Sequence, residues 1–244
     1  MSDLDALCDN IHKNCSLNES NSNIEEIHSK ILDKVKTLES SEQKSISLLL
    51  NKDVLRWIQG DLSFLPEPEN KVSGNAKNGK PKYEKRKKQI EDERKKNEDA
   101  WNIAVMKEKR PDLSLKTQSK FGPFGEELCK EYFILTGKFD NSHPKKMNGH
   151  QLDLETKDEM IESKCGSYYT TGTAGEKILG VPYKYADVYR LYNKPLRIIC
   201  IGKAEAHNDL VYKSDIPERE KMKTYWKDEF KTTFIGFREL INSF

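Results

Sequence analysis

The fold is decided by one stretch of the sequence, Leu152-Asp153-Leu154-Glu155-Thr156-Lys157-Asp158-Glu159-Met160-Ile161-Glu162-Ser163-Lys164-Cys165. Polar and apolar residues alternate on both sides of a charged turn, which predicts two half-buried strands joined as a β-hairpin. Because side chains two positions apart share a face of a strand, Glu162 and Lys164 are predicted to project together. Asp153 alternates against its leucine neighbours in the same way. Pairing of the two strands would therefore bring Asp153 towards Glu162.

Two carboxylates and one ammonium group at one place are typical of a site that binds a divalent metal ion and a phosphate. Asp153 and Glu162 are oxygen ligands of the kind that Mg²⁺ prefers, and Lys164 can act on the attacking water or on the transition state. The pattern therefore predicts a nuclease. On the pattern alone, a surface hairpin with a cross-strand salt bridge is the alternative. Three further acids compete for the same roles within the hairpin: Glu155, Asp158 and Glu159.

A helix is predicted upstream of the hairpin, over residues 124–136. Its apolar residues form one stripe, and Gly137 follows where a left-handed cap is expected. Glu126 lies at the edge of the stripe, where an acid is less expected than on the solvent side. It is either an auxiliary acid of the site or a residue that stabilises the helix amino terminus through the helix dipole.

The downstream sequence adds further elements of an α/β domain. A capping box at 173–176 predicts a helix, which Gly180-Val181-Pro182 is expected to interrupt before a second helix over 183–191. The apolar run 195–202 predicts a strand in the buried interior of a sheet. Residues 218–244 are predicted to form one or two helices. The order helix, strand, strand, helix, strand, helix gives an α/β core.

The amino-terminal third differs in composition and is predicted to be a helical extension with a flexible linker, residues 1–81. Amphipathic helices are expected over 23–38 and 42–58, and the linker over 69–81. A long charged helix over 82–106 is then predicted as the first element of the nuclease domain, residues 82–244. Residues 71–110 carry 14 Lys and Arg against 7 Asp and Glu, which suits either a polyanion partner or a solvated helix.

Composition excludes several classes of protein. No apolar run approaches the roughly 20 residues that span a bilayer, so a soluble, intracellular (cytoplasmic) protein without a membrane partner is expected. The five cysteines are odd in number and include no Cys-x-x-Cys, which argues against a disulfide scaffold or a thiolate zinc site. Three of them have apolar surroundings and are predicted to be core residues: Cys129, Cys165 and Cys200.

The set Asp153…Glu162-Ser163-Lys164, with Gly125-Glu126 upstream, resembles the signature of the PD-(D/E)xK nuclease superfamily, and the segment 168–188 resembles type II restriction endonucleases. The position before Asp153 is Leu152 where the family pattern has proline. The resemblance covers about residues 100–205. It implies a restriction-endonuclease-like core with a central mixed sheet of four or slightly more strands, flanked by helices.

The resemblance also implies an activity. It implies Mg²⁺-dependent, sequence-specific cleavage of double-stranded DNA that leaves 5′-phosphate and 3′-hydroxyl ends, with Mn²⁺ able to substitute. Asp153 and Glu162 would be metal ligands, Lys164 the catalytic cation and Glu126 an auxiliary acid. Since cutting both strands usually requires two sites, a homodimer is expected.

Contacts to DNA are predicted after the catalytic strand. The segment 167–173 is rich in hydroxyl groups, which donate to phosphates and base edges, and lysines follow it. An ordinary polar loop followed by a helix cap is the alternative. The candidate contact residues are Ser167, Tyr168, Thr170, Thr171, Lys177 and Lys184.

Two other functions remain open from the sequence. A DNA repair or recombination nuclease would recognise DNA structure instead of sequence. A non-catalytic nucleic-acid-binding protein would keep the hairpin for structural reasons only.

Overall fold

The computed structural model describes residues 17–68, 82–113, 121–166, 174–206 and 216–244. The helices are α1 (Leu17–Lys36), α2 (Ser40–Gln43), α3 (Lys52–Gln59), α4 (Lys82–Lys109), α5 (Phe121–Leu135), α6 (Ala174–Lys184), α7 (Val188–Tyr192), α8 (Pro217–Phe230) and α9 (Phe237–Asn242). The strands are β1 (Phe139–Asn141), β2 (Leu154–Thr156), β3 (Met160–Gly166), β4 (Leu196–Gly202) and β5 (Thr232–Gly236). In these ranges, each helix is too short or too polar to cross a bilayer.

The strands form one five-stranded mixed sheet in the order β1-β2-β3-β4-β5. β1, β2 and β3 are antiparallel neighbours, whereas β3, β4 and β5 run parallel. The predicted hairpin is present: Leu154 pairs with Ile161, and the turn closes with the Thr156 N–H donating to the Glu159 carbonyl at 2.9 Å. The predicted α/β class with a mixed sheet flanked by helices is therefore confirmed.

Helices cover both faces of the sheet. On one face, α5 packs with α1, α3 and α9 against Leu154, Ile161, Ile199 and Ile201. On the other, α6 and α7 pack against Met160, Ile198 and Cys200. Alternate residues of β4 thus face two cores, which explains its uninterrupted apolar sequence. Cys129, Cys165 and Cys200 are not disulfide-bonded and lie in or against these clusters, as predicted.

The amino-terminal helices share the core of α5 through a buried acid. Glu131 of α5 is fully buried and accepts hydrogen bonds from the backbone N–H groups of Ser47, Leu48 and Leu49 at 2.8–2.9 Å. Burial raises the pKa of Glu131, while these amide hydrogen bonds oppose the shift. Segment 47–49 is thereby fixed to the helix that carries Glu126. The predicted linker 69–81 lies outside the described residues.

The single helix expected over 42–58 is wrong, because the chain forms α2 and α3 with an irregular segment between them. The Asn51 side chain accepts hydrogen bonds from the N–H groups of Asp53 and Val54 and so starts α3 as its N-cap. The amides of Leu48 and Leu49 bond to Glu131 instead of to a preceding helical turn. A side-chain acceptor from a distant helix has thus replaced the helical hydrogen bonds.

Two expectations for the carboxy-terminal half are also wrong. Helix α6 runs through Pro182 to Lys184, although an interruption at 180–182 was expected. Residues 218–244 contain β5 between two helices, because Lys231 adopts a left-handed φ of 51° that ends α8 before the sequence Thr232-Thr233-Phe234-Ile235. β-branched and aromatic residues favour a strand, and pairing with β4 supplies its hydrogen bonds.

Candidate active site

Strand β3 places a buried acid beside a lysine. Glu162 is 4% exposed, and Lys164 Nζ donates to its Oε1 at 2.5 Å. The other oxygen, Oε2, is buried and accepts no hydrogen bond from any part of the chain that the structure describes. Burial and the charge of Asp153 raise the pKa of Glu162, and Lys164 opposes this shift. Glu162 therefore has one oxygen, Oε1, bonded to Lys164 and a second oxygen, Oε2, that can accept a ligand.

Asp153 reaches the site by a different route from the one its alternation predicts. Leu152 packs in the cluster with α6 and α7, whereas Leu154 packs in the cluster with α5, so the chain crosses from one face of the sheet to the other at Asp153, just before β2 begins. The regular strand alternation expected over 152–154 is thus wrong, since β2 begins only at Leu154.

A hydrogen bond from β3 explains the position of Asp153. Its Oδ2 accepts from the N–H of Ser163 at 2.7 Å and from Ser163 Oγ at 2.9 Å. The backbone N–H of Ser163 therefore binds the Asp153 carboxylate instead of a backbone carbonyl of a neighbouring strand. Strand alternation predicts that the Ser163 side chain points away from the face of Glu162, and it does not predict the hydrogen bond to Asp153. The reason is that a backbone donor lies in the plane of the sheet and has no signal in the sequence.

The rival acids of the hairpin are engaged elsewhere or exposed. Glu155 lies 2.8 Å from Lys194 Nζ, and Glu159 lies 2.5 Å from an Arg197 guanidinium nitrogen. Asp158 is exposed in the turn. The geometry therefore separates these three from Asp153, Glu162 and Lys164.

Helix α5 brings Glu126 towards the same place. A Cβ added to Gly125 would overlap Cys165 of β3, so only glycine lets the helix lie this close to the strand. Burial, then repulsion from Asp153 and Glu162, raises the pKa of Glu126 to about 7, and Lys164 opposes the shift. At neutral pH this carboxyl can therefore hold or release a proton.

In protein free of divalent cations, the Glu126 carboxyl is expected to titrate near pH 7, and Asp153→Asn is expected to lower the midpoint, because it removes a neighbouring negative charge. Carbon-detected NMR of side-chain carboxyls would measure both midpoints. An unchanged midpoint for Glu126 would contradict the proximity of these two acids.

A tyrosine that the sequence did not single out completes the site. Tyr185 is 1% exposed, and burial followed by the charges of Glu162 and Asp153 raises the pKa of its hydroxyl. The hydroxyl donates to the Gln151 carbonyl at 3.3 Å and accepts from Lys184 Nζ at 2.7 Å. Only the fold brings Tyr185 to the hairpin, so no local pattern would have identified it.

The structure places two of the predicted DNA contacts. Lys177 and Lys184 are exposed on α6, and Lys184 reaches the site through Tyr185. The other four predicted contacts lie outside the described residues: Ser167, Tyr168, Thr170 and Thr171.

The acids of the site offer a small set of oxygen ligands for a divalent ion. No group of three or more His, Cys, Asp or Glu side chains within the described ranges is gathered closely enough to hold a metal ion. Proteins hold Mg²⁺ with as few as one or two carboxylates, and Asp153 with the unpaired Oε2 of Glu162 fits that smaller set. Glu126 interacts with both carboxylates through charge.

Comparisons of this chain with protein-family models, with curated proteins and with solved structures find no match.

Proposed function

We propose that this protein is a Mg²⁺-dependent endonuclease that hydrolyses phosphodiester bonds in double-stranded DNA and leaves 5′-phosphate and 3′-hydroxyl ends. One observation carries the proposal: a buried carboxylate oxygen, Glu162 Oε2, lies beside a second carboxylate and a lysine and has no hydrogen-bond partner among the described residues. A buried acceptor without a partner costs about 1–3 kcal/mol, so such an atom in a folded protein requires an explanation. A divalent cation shared with Asp153 would provide one.

The charges favour a cation over a neutral partner. Asp153 and Glu162 repel one another, which contributes to the raised pKa of Glu162, and the ammonium of Lys164 is paired directly with only one of the two acids. A cation bound between the two carboxylates would remove the repulsion. When bound, Mg²⁺ supplies Lewis acidity and neutralises charge on the phosphate.

The side chains can perform the remaining tasks of hydrolysis. Lys164 Nζ, held by Glu162 Oε1, is a fixed cation that can stabilise the negative charge that develops at phosphorus. Glu126, with a pKa of about 7, can accept a proton from the attacking water at its carboxylate. Asp153 is held by Ser163 through two hydrogen bonds, which orient its oxygens before substrate arrives.

A restriction-type enzyme with a restriction-endonuclease-like core is the form of this activity that we propose. Its support is the combination of an antiparallel hairpin that carries the acids and lysine, parallel strands β3, β4 and β5, and a helix packed on β3 through glycine. Cutting both strands at one place requires two such sites, so we propose a two-fold homodimer on DNA.

Purified protein is expected to cut plasmid DNA with Mg²⁺, and with Mn²⁺ in its place, while Asp153→Ala lowers the rate by about 100-fold or more because it removes a ligand and a charge. Gel electrophoresis of timed digests would measure the rate. Asp158→Ala is the matched control, since this acid is exposed in the turn of the same hairpin.

The products separate the alternatives. Discrete fragments from a long duplex support a restriction enzyme, and sequencing of their ends gives the recognition site. Cleavage confined to branches or ends supports a repair nuclease. A protein that binds duplex DNA and leaves it intact with either metal would be a binding module, and the proposal would fail.

A further inference from the structure

A second lysine reaches the site from helix α6. The Lys184 stem is exposed, yet its Nζ donates to the Tyr185 hydroxyl at 2.7 Å and lies 4.3 Å from the centre of the Tyr185 ring. Its positive charge reaches Glu162, where it opposes the effect of burial on the carboxyl pKa. The ammonium therefore lies within the electrostatic field of the catalytic acids, although the residue is at the surface.

Tyr185 holds this ammonium from a fixed position. Its ring is buried in the cluster of α6, α7 and β4, and its hydroxyl also bonds to the carbonyl of Gln151, two residues before Asp153. A buried ring of this kind keeps one orientation, so the hydroxyl is a preorganised acceptor for Lys184.

The charge of Lys184 has no direct counter-ion among the described residues. Lys164 is paired with Glu162, whereas the hydrogen bond of Lys184 goes to a neutral oxygen. An ammonium group has three donors, and charge-assisted hydrogen bonds are about twice as strong as neutral ones. A phosphate oxygen is therefore a better acceptor for Lys184 than the hydroxyl that holds it.

The exposed face of α6 offers a path for a DNA strand to Lys184. Lys177, Gly180 and Lys184 follow one another at spacings of three and four, which places them on one side of the helix. Gly180 has open space where a side chain would be, and Tyr183 beside it is 90% exposed. A sugar-phosphate strand can thus lie close along this face, with a lysine near each end.

We propose that Lys184 is a second catalytic cation, which binds the scissile phosphate in the DNA complex, and that Tyr185 is its positioning residue. The inference rests on the proposed nuclease function. It assigns phosphate binding to the segment Lys184-Tyr185, which lies on the opposite face of the sheet from the helix that carries Glu126. In the complex, Lys184 Nζ exchanges a neutral acceptor for a charged one, while Lys164 stays on Glu162.

Two variants test this role. Lys184→Gln removes the charge, and Tyr185→Phe removes only the hydroxyl while the ring keeps its place in the core. Binding to a fluorescein-labelled duplex in EDTA reports the phosphate contact without cleavage. The slope of log affinity against log salt should fall by about one in Lys184→Gln, the value for one lost contact, and stay unchanged in Tyr185→Phe.

Single-turnover cleavage with Mg²⁺ at saturating protein reports positioning. Lys184→Gln should slow cleavage by about 100-fold, in the range for loss of one transition-state donor, and Tyr185→Phe should slow it by about 10-fold with affinity for DNA unchanged. Lys138→Gln, at an exposed lysine beside β1, is the matched control and should match the parent. Thermal melts followed by circular dichroism verify that each variant is folded.

The outcomes separate this inference from the proposed function. If the parent cuts DNA and Lys184→Gln retains both its rate and its salt slope, the role of Lys184 is overturned and the nuclease proposal stands. If Tyr185→Phe cuts as fast as the parent, its positioning role is overturned. A parent that binds duplex DNA without cutting it overturns the nuclease proposal and the catalytic role together, and the salt slope then decides whether Lys184 contacts phosphate.

Discussion

Replacement of Lys164 by alanine is expected to slow DNA cleavage by about 100- to 1,000-fold, the range for loss of one donor to transition-state charge. The variant loses the ammonium bonded to Glu162 Oε1 and leaves two acids side by side without that compensation. The remaining Glu162 carboxyl would then have a still higher pKa, because the nearer of the two lysines that oppose the effects of burial and Asp153 is gone. Single-turnover digestion of plasmid DNA with Mg²⁺ would measure the rate.

Two further variants make the Lys164 experiment specific. Lys157→Ala, in the turn of the same hairpin, removes an exposed lysine whose Nζ bonds only to the Gly137 carbonyl among the described residues, and should cut at the parent rate. Lys164→Arg keeps the charge but changes its geometry, and should recover part of the lost rate. Equal rates for Lys164→Ala and the parent would refute the assignment of this lysine.

Replacement of Glu131 by alanine is expected to lower the free energy of unfolding by about 3 kcal/mol or more. The carboxylate accepts three backbone N–H groups from segment 47–49, and alanine would leave all three donors, two of them buried, without that acceptor. Removal of the side chain also leaves a cavity next to α5, which adds to the cost. Urea denaturation followed by tryptophan fluorescence and circular dichroism would measure the change.

The control for Glu131 is an acid on another helix. Glu229→Ala at the exposed end of α8 should change the free energy of unfolding by no more than about 0.5 kcal/mol. If Glu131→Ala shifts the unfolding midpoint no further than this control does, the three amides must find other acceptors, and the anchoring role of Glu131 fails.

The sequence predicts the part of the site that depends on local periodicity. Glu162 and Lys164 lie two apart on one strand, so alternation alone brings them together, and their 2.5 Å contact follows. The approach of Glu126 depends on Gly125, and the close contact of Gly125 with β3 emerges only when the helix packs on the sheet. Tyr185 lies 23 positions beyond Glu162, and no periodic pattern connects the two.

The sequence also does not predict the elements whose stability comes from tertiary contacts. Strand β5 follows a helix with no glycine or proline between them, and its stability depends on pairing with β4. The start of α3 is encoded locally by its N-cap residue Asn51. The acceptor that fixes the preceding segment 47–49 is Glu131, about 80 residues away in the sequence. In both cases a distant partner outweighs local propensity.

The change from one face of the sheet to the other at Asp153 makes the position of this acid depend on both hydrophobic cores. The residue before it is anchored in one hydrophobic core and the residue after it in the other. The position of the acid beside Glu162 therefore depends on the packing of both layers, and a fault in either layer is expected to displace it. Under the proposed function, a partly folded chain would therefore carry all of the proposed catalytic residues and yet lack the assembled site, so it is expected not to cut DNA.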